Sequence, residues 1–245
     1  MQDHGQAFPR ADGQNELQPL YPRLERGFDF VFVVDGAGAE ENLLEAAKNT
    51  ALDLHRQIHE DLQKSRGVLK SLRVRLIVFR GQKAEAGPRV QSRGFFNLPE
   101  EADAFRQYAD SLQSAAGTDD PRGGMEALLM AIKSDWRNEI IKMRHIIIVM
   151  AGRSTPASDI LYPINEPGFT GDGALYPLDP LHLHWLDPYG SLSMKGKHLA
   201  LLTPNTYPWN EIGLWDLTFP VFSGPGTPEN ERNYTTILKS LFGAV

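Results

Sequence analysis

Residues 28–39 read FDFVFVVDGAGA, and the reading of this stretch decides the fold. From Phe28 to Val34 the run is apolar with only Asp29 interrupting, and its β-branched and aromatic residues suit a pleated surface. Continuous rather than alternating apolarity is the mark of a strand covered on both faces. The run ends in Asp35 and small residues, and a long amphipathic helix follows. Open α/β sheets bind at this kind of place, the carboxyl end of a central strand on a tight turn into a helix.

Working outward, residues 41–65 carry Leu43, Leu44, Ala47, Ala51, Leu54, Ile58 and Leu62 at spacings of three and four, one apolar helical stripe. Gly67 is read as its stop. Residues 71–79 (SLRVRLIVF) form a second strand and 90–97 an edge strand of mixed polarity. Pro99 is placed at the start of a helix running to about Ser114, its acids Glu100, Glu101 and Asp103 complementing the positive end. The breaker cluster GTDDPRGG (117–124) precedes a helix over 125–136, and HIIIVM (145–150) is another buried strand.

Residues 155–197 are irregular and proline-rich, with a short helix expected in LDPLHLHWLDPYGSL (178–192). A strand at 198–202, a short helix at 209–215, an edge strand at 219–222 and a closing helix at 230–241 complete the pattern. Strands alternating with helices imply an α/β fold, a doubly wound, mostly parallel central sheet with helices on both faces. Residues 1–26 are assigned to a polar leader and 27–245 to one domain with an insertion at about 155–197.

Composition narrows the function. The chain has 245 residues, 41% hydrophobic and 23% charged, and a net charge of −6, which lacks the basic footprint of a nucleic-acid binder. No stretch reaches the roughly 20 apolar residues of a membrane helix, so no membrane insertion is expected. The absence of cysteine removes disulfides, thiolate ligands and a thiol nucleophile, and fits a cytoplasmic protein. Gly36 and Gly38 supply half of a dinucleotide fingerprint, but Glu41 stands where the third glycine belongs, and Asp35, Glu40 and Glu41 compete with a phosphate for the helix N-terminus. No Gly-x-Ser-x-Gly elbow or phosphate loop is present.

Three motifs in order — the strand ending in Asp35, GTDDPRGGMEALLMAI (117–132) and HIIIVMAGRS (145–154) — resemble the von Willebrand factor A (vWA) family. The middle loop resembles the integrin β variant, with its Asp-x-Pro-x-Gly-Gly. The resemblance covers roughly Phe28 to Ser154 and implies a Rossmann-like fold that binds other proteins. Family members typically hold Mg²⁺ at the top of the sheet, in a metal-ion-dependent adhesion site built on Asp-x-Ser-x-Ser, a Thr or acid of the middle loop and a later Asp.

This chain keeps Asp35 but has Ala37 and Ala39 in place of the serines, Ala151 in place of the second Asp, and Arg122 where the variant has glutamate. Thr118 and Asp119 are the remaining middle-loop donors, so any residual metal site would rest on Asp35 and Asp119. A hard cation needs an oxygen cage that three of these changes remove. The expectation is a degenerate site, formed by Asp35, Thr118, Asp119, Asp120, Arg122, Arg153 and Ser154, with no cofactor. There Arg122 or Arg153 stands in for the metal as a fixed cation against Asp35, Asp119 or Asp120; the bland alternative is that these are solvated loop charges.

The functional expectation is a non-enzymatic module binding other protein subunits in an assembly, similar to bacterial intracellular family members. Two rivals stand beside it: an Mg²⁺-dependent adhesion domain with remodelled ligands, and a hydrolase-like enzyme with its site in 155–197. Two histidine clusters bear on the rivals. His55 and His59 sit one helical turn apart, but Glu60 lies outside the pair and a third ligand is missing, which favours a solvated helix face. His182 and His184, with Asp179 and Asp187, match only the ligand types. Trp185, Tyr189, Tyr207, Trp209 and Trp215 crowd the last third of the chain; core packing accounts for most, and a protein-binding surface is the other use of such residues.

Overall fold

The computed structural model describes residues 24–36, 41–64, 67–80, 90–112, 123–139, 142–155, 178–192 and 196–223. Strand β1 (Leu24–Asp35) lies at the centre and is buried from Phe28 to its end. It pairs in parallel with β2 (Gly67–Phe79) on one side and β5 (Met143–Met150) on the other. Strands β6 (Lys197–Pro204) and β7 (Thr218–Ser223) continue the parallel sheet. Two short antiparallel strands, β3 (Val90–Ser92) and β4 (Phe96–Asn97), pair with β2, giving the order β3-β2-β1-β5-β6-β7 with β4 also on β2. This is the mostly parallel, Rossmann-like α/β sheet that the apolar pattern implies.

The alternation of β1 divides the core. Phe28, Phe30, Phe32 and Val34 face helix α1 (Glu41–Lys64) and helix α2 (Ala102–Ser111). Val31 and Val33 face the opposite side, packed with α3 (Gly124–Ile132), α4 (Asp179–Leu186) and α5 (Trp209–Ile212). The seven apolar stripe positions of α1 are all buried, the 3.6-residue period turned toward one face of the sheet.

Several boundaries differ from the sequence reading. Leu24 to Arg26, assigned there to the leader, belong to β1. Gly67 opens β2 rather than closing α1. The single edge strand of 90–97 is two, broken at residues 93–95. Helix α2 begins at Ala102 rather than at Pro99, and Glu101 instead accepts the Asn97 backbone N–H and side-chain amide at 2.7 Å each, tying the turn before the helix. The helix expected over 209–215 is one turn, Trp209–Ile212. The closing helix expected at 230–241 lies outside the described residues.

Asp29 is the one polar residue inside the apolar run Phe28–Val34, and its surroundings explain it. In register, Arg73 of β2, Asp29 of β1, His145 of β5 and Lys197 of β6 stand side by side across four strands, each buried. Arg73 grips Asp29 with two hydrogen bonds, Nε to Oδ1 at 2.9 Å and Nη2 to Oδ2 at 2.5 Å. The segment after α3 seals this row. The Arg137 amide donates to Asp29 Oδ2 at 2.9 Å, Arg73 Nη2 also donates to the Asp135 carbonyl at 2.9 Å, and His145 Nε2 lies 2.8 Å from the Arg137 carbonyl. Burial drives the His145 pKa down, which keeps its ring neutral, with Nε2 donating to that carbonyl. Phe95 lies 4.3 Å from the Arg73 guanidinium, and Lys197 Nζ donates to the Trp185 carbonyl.

Among the described residues β7 ends the sheet on one side, and its sequence suits that place. Leu199 N–H donates to the Leu217 carbonyl, so by alternation along a parallel ladder the position of Pro220 turns its nitrogen toward the open side. A proline there offers no donor to an added strand.

The buried ion pair generates a contrast in magnitudes. Arg73→Met, which strands the Asp29 carboxylate in the core, is expected to cost about 3–5 kcal/mol in urea unfolding. Arg56→Met on the exposed face of α1 removes contacts to both Asp53 and Glu60, yet is expected to cost about 1 kcal/mol or less. Equal costs would show that the Asp29 row is not a structural keystone.

Candidate functional site

The chain leaves β1 toward β2 on one side, while β5 lies on the other, so the C-terminal ends of β1 and β5 flank the switch point of the sheet. Crevices of doubly wound sheets open there. Asp35, the last residue of β1, is 1% exposed. Arg153, three residues past β5, reaches across the switch point and donates from Nε to Asp35 Oδ2 at 3.2 Å. The acid is buried and the Arg153 side chain is 30% exposed.

The loop carrying Arg153 is clamped from the other side. Trp209 Nε1 donates to the Arg153 carbonyl at 3.0 Å, and Ser154 Oγ donates to the Tyr207 carbonyl. These two bonds anchor residues 153 and 154 to the turn between β6 and α5, and fix where the Arg153 side chain starts. Arg80, at the end of β2, is also buried beside this crevice; its Nη1 donates to Gln91 Oε1 at 3.0 Å, and desolvation pushes its pKa down.

The two glycines ending GTDDPRGG have a specific use. Gly123 takes the left-handed backbone (φ 101°) at the N-cap of α3. At Gly124 a Cβ would come within 2.8 Å of Thr155 Cγ2, so only glycine lets the start of α3 approach the loop after β5. Thr155 is buried there.

Of the residues proposed from sequence, Asp35 and Arg153 are brought together, and Ser154 adjoins them, holding the Tyr207 turn. Thr118, Asp119, Asp120 and Arg122 lie outside the described residues, as do Ala37 and Ala39. Ala151 is buried at the end of β5 and offers no side-chain oxygen. Among the described residues, Asp35 is engaged by the Arg153 guanidinium and Ala151 supplies no side-chain oxygen, so these alone do not make the oxygen cage a divalent ion needs.

The histidine pairs do not assemble metal sites, and among the described residues no cluster of three or more metal-ligating side chains occurs. His55 and His59 stack on α1 with ring centroids 6.1 Å apart, and His59 Nε2 lies 3.0 Å from Gln63 Nε2. His182 and His184 lie on α4, where a separation of two residues points them to different sides. His182 stacks on Trp215 with centroids 4.7 Å apart, and Asp187 Oδ1 accepts the Tyr189 amide. Leu181 and Trp185 of the same helix are fully buried against the sheet, and Trp209 and Trp215 are core residues too.

The row through Asp29 was missed as a unit by sequence reasoning. Its signal was present: an acid interrupting a buried strand and an arginine at an alternating position of the neighbouring one.

No family model matches the chain, and no curated protein does. Among solved structures the chain is similar to the pilus adhesin SpaC from Lactobacillus rhamnosus GG. In the open conformation the match has 18% identity and a TM-score of 0.36 and covers 51% of this chain and 14% of the adhesin. A second crystal form matches with 13% identity and a TM-score of 0.49, covering 81% of this chain and 29% of the adhesin. The chain thus spans less than a third of that protein's length. No helix among the described residues is long and apolar enough to cross a membrane.

The Asp35–Arg153 contact is measurable as a coupling. In a double-mutant cycle of Asp35→Asn and Arg153→Met, followed by urea unfolding, the two losses are expected to be non-additive by about 1–2 kcal/mol. Additive losses would show that the two charges do not support each other.

Proposed function

We propose that this chain is a non-enzymatic protein-interaction module of the vWA type, a cytoplasmic subunit or adaptor in a multi-protein assembly. Its switch-point crevice is closed by a fixed Arg153–Asp35 pair where related domains carry Mg²⁺. The observation that carries this reading is the 3.2 Å contact between Arg153 Nε and Asp35 Oδ2 at that position. A guanidinium repels a second cation from the same carboxylate and cannot be deprotonated to make room for one. The Arg153 side chain is 30% exposed, and a positive charge at the sheet top is suited to a partner's carboxylate by charge-assisted hydrogen bonding.

The test is titration calorimetry of Mg²⁺ and Mn²⁺ into metal-stripped protein. The proposal expects no saturable binding up to about 10 mM, weaker than even the millimolar affinities of extracellular cation modules, with Asp35→Ala indistinguishable from the parent chain. Millimolar or tighter binding that Asp35→Ala abolishes would replace this reading with a metal-dependent one.

A further inference from the structure

On the face of the sheet that carries α4 and α5, two segments form a joined surface. Helix α4 with its following turn (residues 178–192) and the stretch from the β6–α5 turn into β7 (residues 205–218) are tied by two contacts. His182 stacks on Trp215, and Trp185 Nε1 donates to the Asp216 carbonyl at 3.0 Å. The tryptophans are buried beneath, yet large apolar side chains are left outside. Leu183 is 62% exposed, Leu186 36%, Tyr189 96%, Leu214 85% and Leu217 42%. Single exposed leucines are ordinary; five large apolar residues on two tied segments are the composition of a binding surface.

Leu217 adds a separate observation. Its backbone is left-handed (φ 59°), the one such non-glycine residue among those described. The turn there carries the chain into β7, with the Leu217 carbonyl accepting from Leu199 N–H and Thr218 N–H donating to the Trp215 carbonyl. Glycine would adopt that conformation without the clash a Cβ brings. A leucine held there with much of its side chain in solvent does not recover the strain through core packing. Strain of this kind collects at functional positions.

Charge indicates what fits. Over residues 178–192 and 205–218 there are four acids, Asp179, Asp187, Glu211 and Asp216, and no lysine or arginine. Lys197, whose ammonium feels Asp216 and Asp187, is buried and directed at the Trp185 carbonyl. We infer that this surface docks a partner-protein segment that is apolar on one side and carries lysine or arginine, with Leu214 and Leu217 as its apolar anchors. Its anchors Leu214 and Leu217 are distinct from the Asp35–Arg153 pair, although the same stretch begins at the turn that holds the Arg153 loop.

The probe is an amphipathic leucine/lysine helical peptide, with its leucine/glutamate counterpart as control, titrated into the full chain with tryptophan fluorescence as readout. The basic peptide is expected to bind in a salt-sensitive way and the acidic one at least about tenfold more weakly. Leu214→Asp adds negative charge at a solvent-exposed position and is nonetheless expected to weaken the basic peptide at least about tenfold. Leu217→Gly is expected to weaken it similarly while the Tm stays level or rises. Undiminished or tighter binding by Leu214→Asp would reduce the surface to bare charge and overturn the proposal. A fall in Tm for Leu217→Gly beyond about 3 °C, a loss of about 1 kcal/mol in a domain of this size, would show that the leucine serves packing, and would overturn its role. A dimer of the parent chain in sedimentation that Leu214→Asp dissolves would make a second copy the occupant and equally overturn it.

Discussion

The structure depends on the burial of one acid. Asp29 sits in the middle of the central strand with no solvent to stabilise it, so the fold must bring a cation and donors to it. It does so from two directions, Arg73 on the neighbouring strand and the amide of Arg137 from the loop after α3, whose carbonyl is in turn held by His145. Breaking such an arrangement costs more than its net contribution, because the remaining charge is left unpaired. That asymmetry fixes register. Sliding β2 by one residue would turn Arg73 to the opposite face and leave Asp29 with nothing to hold.

Fixing the register of β1, β2 and β5 also fixes their upper ends. Asp35 lies six residues above Asp29 on the same strand, and Arg153 three residues beyond the strand that pairs with it. The two polar features of the central strand therefore have the same physical solution at different depths. The lower one is fully enclosed and serves the fold. The upper one lies at the switch point, and its arginine side chain is 30% exposed.

Much of this was legible in the sequence, because apolar periodicity reports burial directly. The runs at 28–34 and 145–150 could only be strands covered on both sides, and the stripe on α1 could only face them. From the donors missing at 37, 39 and 151 the sequence offered Arg122 or Arg153 against Asp35, Asp119 or Asp120, beside solvated loop charges, and did not choose among them; the structure brings Arg153 to Asp35. Less legible were features set by tertiary contact. Glu101 is spent on the Asn97 turn rather than on a helix dipole, which postpones α2 to Ala102, and no local pattern announces that. The row from Arg73 to Lys197 joins residues as far as 168 positions apart in the chain, so only the register reveals it. Positions 182 and 184 share a face on a strand and part on a helix, and the prolines around them hid which applied.

The central claim is that Arg153 occupies the place of a metal ion at the switch point. The most direct measurement is an anomalous difference map from crystals of this protein soaked in Mn²⁺. The account predicts no peak within coordination distance of Asp35 and a guanidinium seated on its carboxylate. A manganese peak on Asp35, with Arg153 swung aside, would contradict it.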